Sequence, residues 1–190
     1  MVNTRVVVTR LGRLLLPLGW EQVGRAFRRV NDVGDWCVID VQRSMLSQGD
    51  RLVWFVNVSV LPEPYMDAMG WSEPTLASGM WCWRLSASRD AYSDSWTADG
   101  DADLASKADL IAASVESEVL PAMDELLDRD QFLQLARESR NAMGVVVALV
   151  DRGPSDELSH AIERLVTPNA AAWARQRAAL QSAHNSSGGA

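Results

Sequence analysis

Arg25, Phe27 and Arg29 alternate along one short stretch, and Ala26, Arg28 and Val30 fill the positions between them. Successive side chains of a strand point to opposite faces, so a strand here would carry arginine on both. Arg43 lies further on, with Gln42 and Ser44 beside it. A guanidinium next to an amide and a hydroxyl suits a carboxylate, a phosphate or an acidic protein surface. Pairing with acids of the same chain, or solvation, is the simpler account of such arginines. Asn57 interrupts the apolar run of Val53, Trp54, Phe55, Val56 and Val58. A buried Asn must be hydrogen-bonded, so it either ties the fold together or lines a polar pocket with Gln42 and Arg43. Trp71 stands in a Pro-rich connection, where long loops often carry binding sites. The candidate binding residues are therefore Arg25, Arg28, Gln42, Arg43, Ser44, Asn57 and Trp71.

Catalytic motifs find no match. Lys107 lies in Ser-Lys-Ala with no glycine-rich run before it, so a phosphate-binding loop is not formed. The chain has neither a Gly-x-Ser-x-Gly elbow nor a Gly-x-Gly-x-x-Gly turn. Its two histidines, His160 and His184, give imidazole catalysis and zinc ligation little to draw on. His160 shares a helical stretch with Asp156, Glu157 and Glu163, a pattern that a solvated helix face produces far more often than a site. Asp99, Asp101 and Asp103 alternate as calcium ligands do, but Leu104 and Leu110 stand where a calcium loop needs Gly and a bidentate Glu. Helix capping is the better account of these acids. No catalytic residue, metal or cofactor is assigned, and an enzyme is the lesser expectation.

These side chains need a scaffold, and the composition supports one. Of 190 residues, 47% are hydrophobic and 23% charged, which excludes a disordered chain. The net charge of −7 lies entirely beyond Ser95, where 15 acids face 8 basic residues. That acidity argues against nucleic acid as a partner. No apolar stretch reaches bilayer length and no cleavage site follows the first apolar run, so the chain is expected in the cytoplasm, without a membrane partner. Cys37 and Cys82 lie in apolar segments and are expected as buried free thiols. Eight tryptophans mark core or interface, with core the better account for most.

Apolar spacing predicts a helix over 4–18, closed by Pro17 and Gly19. Strands are predicted over 24–30, 36–44, 52–61 and 80–87, with a short edge strand over 93–97. The stretch 62–79 reads as a long irregular connection. Helices follow over 104–119, restarting at Pro121, and over 130–139, 142–151, 155–165 and 168–183. Val145, Val146 and Val147 could belong to a strand, but the stop at Gly153 and Pro154 favours a helix. Residues 184–190 read as a disordered tail behind a single domain over 1–183. Strands in succession flanked by helices give the α+β class, with a four- or five-stranded antiparallel sheet, one helix before it and several after.

This order resembles a bacterial family known as domain of unknown function 4304. The likeness rests on Leu18-Gly19-Trp20 ending a helix, on Gly24 to Arg28, on Val38 to Ser44 and on Phe55 to Val58, and it extends over roughly residues 5–140. The resemblance implies a fold and a bacterial source, not a reaction. The expected function is a non-enzymatic protein-interaction or binding module. The alternative is a small-molecule-binding protein or an unrecognised enzyme, with a pocket near Asn57, Gln42 and Arg43. No oligomeric state follows from the sequence.

Overall fold

The computed structural model describes residues 3–74, 79–86 and 94–187. In chain order its elements are α1 (Arg5–Leu15), β1 (Glu21–Val23), β2 (Ala26–Val30), β3 (Trp36–Arg43), β4 (Arg51–Leu61), α2 (Glu63–Met69), β5 (Trp81–Arg84) and β6 (Trp96–Asp99). Helices α3 (Asp101–Ser114), α4 (Leu120–Leu127), α5 (Arg129–Glu138), α6 (Ala142–Leu149), α7 (Asp156–Glu163) and α8 (Pro168–Ser187) follow. This is an α+β fold with an N-terminal helix, a six-stranded antiparallel sheet and several C-terminal helices. Contacts group the chain into two compact units: Met1–Leu61 with Pro74–Asp124, and Pro62–Glu73 with Glu125–Ala190.

The first unit holds the whole sheet. Strands β1 to β5 lie side by side in sequence order, each antiparallel to the next, and β6 pairs with the opening residues of β4. The eleven residues of β4 thus serve two partners on one edge, Asn57 to Val60 against β5 and Arg51 to Trp54 against β6. One sheet face carries Phe27, Ile39, Val41, Trp54, Val56 and Val58, all buried. Gly12 of α1 lies against the Phe27 ring, so α1 covers this face with Val7, Val8, Leu11 and Leu15 buried along it. Each such buried side chain contributes about 1.5–3 kcal/mol relative to exposure. Trp54 stacks on Trp96, and the Trp96 indole donates to the Leu85 carbonyl at 2.7 Å. The turn before β3 is tied by Asn31, whose Oδ1 accepts from the amides of Val33 and Asp35 at 3.1 and 2.8 Å.

In the second unit, the Asp128, Asn141 and Ser155 side chains cap α5, α6 and α7 by accepting backbone amides. The Val145 to Val147 run is helical and buried in α6. A Cβ at Gly144 would come within 2.8 Å of the Ala136 Cβ, so glycine is what lets α5 and α6 approach. One guanidinium gathers three carboxylates. Arg177 of α8 meets Asp151 at 2.6 Å, Glu63 at 2.5 Å and Asp67 at 2.9 Å, and the Trp173 indole donates to Asp67 at 2.8 Å. We refer to this cluster as the clasp between α2 and α8. Burial alone would lower the Arg177 pKa, but the bonds from Asp151 and Glu63 outweigh it and hold the guanidinium charged.

Four expectations change: the strand count, the connection after β4, Cys82, and the expected tail from 184, into which α8 continues. The sheet has six strands because Glu21–Val23 forms an exposed edge strand, joined to β2 through the turn at Gly24, whose φ is +63°. The connection after β4 is not wholly irregular: Pro62 and Pro64 open α2 instead of preventing it, since a first-turn proline gives up no helical hydrogen bond. Residues 75–78 of that connection lie outside the described residues, as do Ala87 and Ser93 of the predicted strand ends. Cys37 is a buried free thiol as expected, but Cys82 is free and exposed. At the C-terminus α8 runs to Ser187, and 188–190 lie outside the described residues. No helix among the described residues is long and apolar enough to cross a membrane.

Candidate functional site

The second sheet face is polar where β3, β4 and β5 meet. Register places Asp40 opposite Asn57, Asn57 opposite Arg84, and Ser59 opposite Cys82. Because strand side chains alternate, Gln42 falls on this same face, one pleat beyond Asp40. The Asn57 amide donates to Gln42 Oε1 at 3.1 Å and, at a long 3.4 Å, to Asp40 Oδ2. Arg84 Nε donates in turn to Asn57 Oδ1 at 3.2 Å. The same guanidinium lies 4.3 Å over the Phe55 ring, which fixes its plane. Asn57 is thus the hub of a ladder crossing three strands.

This ladder floors a groove of about 640 Å3 lined by Arg25, Asp40, Gln42, Asn57, Ser59, Cys82, Arg84 and Asp94. Arg25 enters from the β1–β2 turn, where its carbonyl accepts the Val41 amide at 3.3 Å. Asp94 closes the other end and accepts from the Ser86 hydroxyl at 3.2 Å. The Cys82 thiol donates to the Gly79 carbonyl at 3.0 Å.

Asp40 is the unusual member, being only 6% exposed. Burial pushes its carboxyl above the ordinary carboxylate range, while the Asn57 bond and the nearby Arg25 charge partly oppose the shift. An ionised carboxylate offers about four acceptor positions, and the long Asn57 bond and the Val41 amide take up only part of them. A ligand carrying a donor or a positive charge would complete it.

Of the residues singled out from sequence, the structure brings Arg25, Gln42 and Asn57 together. Arg43 pairs with Trp54, so the one-residue step from Gln42 puts it on the opposite face and outside the groove. Ser44 serves the β3–β4 turn, its hydroxyl accepting the Leu46 amide at 3.2 Å. Arg28 is half-buried opposite Val38 and makes interactions of its own. Trp71 belongs to the second unit, where it meets Tyr65 edge-on at 5.8 Å. Arg29 pairs with Asp124 at 2.7 Å, the intramolecular pairing that is the simpler account of such arginines. Asp40, Ser59, Arg84 and Asp94 escaped notice. The first had a readable signal, since Asp40 and Gln42 are two polar residues at strand spacing in an apolar segment.

The other polar candidates have plain structural work. The Asp103 carboxylate accepts the Asp99 amide at 3.0 Å and pairs with Lys107, which also donates to the Thr97 carbonyl. Glu157, beside His160, is held by Arg137 through two bonds of 2.7 Å.

The family model described as Domain of unknown function (DUF4304) matches residues 11–125, more than half of the chain, and the protein belongs to that family. No curated protein and no solved structure matches it.

Proposed function

We propose that this protein is a cytoplasmic binding module whose groove on the sheet takes a small zwitterion, of the size and chemistry of an amino acid or dipeptide. The observation that carries the reading is the buried Asp40 carboxyl, with acceptor capacity left at the floor of a groove that Arg25 and Arg84 also line. An ammonium group placed against Asp40 would supply further donors and a counter-charge. A ligand carboxylate would meet the two guanidinium groups, whose planar forks match it. Asn57 and Gln42 then read the amide or side chain between them. Binding is favoured over catalysis because the Asp40 carboxyl is bonded by the Asn57 amide, while the Cys82 thiol and the Asp94 carboxyl of the same groove are bonded to the Gly79 carbonyl and the Ser86 hydroxyl.

Thermal-shift measurements with a panel of amino acids and dipeptides test this. A ligand at one hundred times its Kd stabilises the folded state by about 2.7 kcal/mol, a shift of several degrees. The expected result is a rise for wild type that disappears in Asp40→Asn and Arg84→Ala. No rise across the panel, or a rise that persists in both variants, would remove the groove as the binding site. Because the ligand cation favours ionised Asp40, binding should also release protons, visible as a buffer-dependent heat in calorimetry.

A further inference from the structure

A second surface of the first unit is cationic and adjoins the Asp40 groove only at Arg25. The first thirty residues contain six arginines and a single acid, Glu21, in a chain whose net charge is −7. Within α1, Arg5, Thr9 and Arg13 are spaced by four, so they form one exposed stripe about 12 Å long. The neighbouring Arg10 is neutralised by Asp109 at 2.6 Å. No carboxylate of the described residues pairs with Arg5 or Arg13, although the chain has 25 acids.

The stripe is a ridge between two grooves. One, of about 660 Å3, lies toward Ala105 and Ala108 of α3, and the other, of about 630 Å3, lies toward Gln22 and Gly24 of the β1–β2 turn. Both are partly apolar. Val6 lines the first and Leu16 the second, and these two side chains are 41% and 48% exposed. A surface with unpaired arginines set beside exposed aliphatic side chains has the make-up of a protein-interaction patch.

We infer that the α1 ridge, through Arg5 and Arg13 with Val6 and Leu16 beside them, docks an acidic segment of a partner protein that also carries aliphatic side chains. Charge complementarity selects the acids, because the ridge belongs to a stretch with six arginines and one acid in a chain that is acidic as a whole. The aliphatic component distinguishes this partner from nucleic acid. Single strands bind by stacking bases on aromatic rings, and the nearby Trp20 is only 3% exposed and already lies under Arg29. The net negative charge of the whole molecule also repels a polyphosphate at long range.

Fluorescence anisotropy on the full chain tests the inference with three labelled probes of matched charge. These are a Glu/Leu peptide and a Glu/Ser peptide, each of about twelve residues, and a thymidylate oligonucleotide. Tightest binding is expected for the Glu/Leu peptide, with a loss of about tenfold or more in Arg5→Glu/Arg13→Glu and further weakening as salt is raised. Arg5→Gln/Arg13→Gln, which is milder for the helix, should give a smaller loss in the same direction. Arg43→Glu, at the end of β3 and outside both grooves of the ridge, should bind as wild type does. Circular dichroism establishes that the variants fold. Absent binding of the Glu/Leu peptide, binding indifferent to both Arg5/Arg13 variants, or equal binding of the Glu/Ser peptide overturns the proposal. Tighter binding of the oligonucleotide also overturns it, in favour of nucleic acid. None of these residues belongs to the Asp40–Asn57–Arg84 ladder, and Arg25, which borders both surfaces, is left unaltered, so either reading can fail without the other.

Discussion

In the clasp between α2 and α8, one guanidinium meets three carboxylates and an indole N–H completes the set. Around Asp40 the proportions are reversed, with one buried carboxyl facing the Asn57 amide at 3.4 Å, the Val41 backbone amide and the charge of Arg25. Each cluster joins elements far apart in sequence, and each lies within one unit. The first is closed, since each carboxylate has a donor within 2.9 Å and one positive charge is shared among three negative ones. The second is open, since burial raises the pKa of its central acid and part of that acid's acceptor capacity is left. A closed polar cluster ties structure together, whereas an open one stores a preference for whatever would close it.

Breaking the closed cluster should have the largest effect. Arg177→Ala leaves Glu63, Asp67 and Asp151 facing one another without a counter-charge, and is expected to lower stability by about 2–4 kcal/mol in urea unfolding. Arg177→Lys should recover only part of this, because an ammonium cannot reach three carboxylates with a planar fork. A loss of less than about 1 kcal/mol would place the clasp with ordinary surface ion pairs. The same operation on the open cluster should have the opposite sign. Asp40→Asn removes a charge that burial disfavours, and is expected to raise stability by about 1 kcal/mol near neutral pH while abolishing ligand binding. A net destabilisation would show that Asp40 belongs to the structure alone.

The pH dependence sharpens the contrast. The Trp173 hydrogen bond, ahead of the Arg177 contacts, holds Asp67 below the ordinary carboxylate range. Its stabilisation is present above the unfolded pKa of about 4 and is lost as pH falls through the lower folded value. Asp40 runs the other way. Its folded pKa is raised, so its contribution is full below about pH 4 and declines as pH rises through the raised value. Subtracting the stability–pH curve of Asp40→Asn from that of wild type should isolate a falling limb on that side of pH 4, and a flat difference would deny the shift. The smallest expected effect concerns the rim. Arg84→Lys loses the stacking on Phe55 and the bond to Asn57, for about 0.5–1 kcal/mol of stability, yet it should weaken ligand binding more than that.

Much of this framework is legible in the sequence, because periodicity records which face each element buries. The valines at 145–147 are helical as read, since the stop at Gly153 bounds a segment too short and too enclosed to need a strand partner. Asn57 announced itself as a polar interruption, and the structure makes it the hub of the ladder. What pattern could not provide was partnership across strands. Arg84 reaches Asn57 only through the β4–β5 register, which nothing local to either segment specifies. The pairing of Gln42 with Arg43 in one pocket failed on alternation itself, as neighbouring strand residues face opposite ways. Strand β1 was missed because its three residues are all exposed and Val23 alone is too little to show an alternation.

The two cysteines differ in a way that makes the groove observable. Burial pushes the Cys37 thiol up to about 12, so at neutral pH it offers alkylating reagents almost no thiolate and no access. Cys82 is exposed on the groove wall. The native chain therefore carries its own single labelling position, at the place where a ligand would sit. Mild treatment with a maleimide should attach one group per folded molecule, and the rate of that reaction, slowed by whatever fills the groove, becomes a direct clock of occupancy.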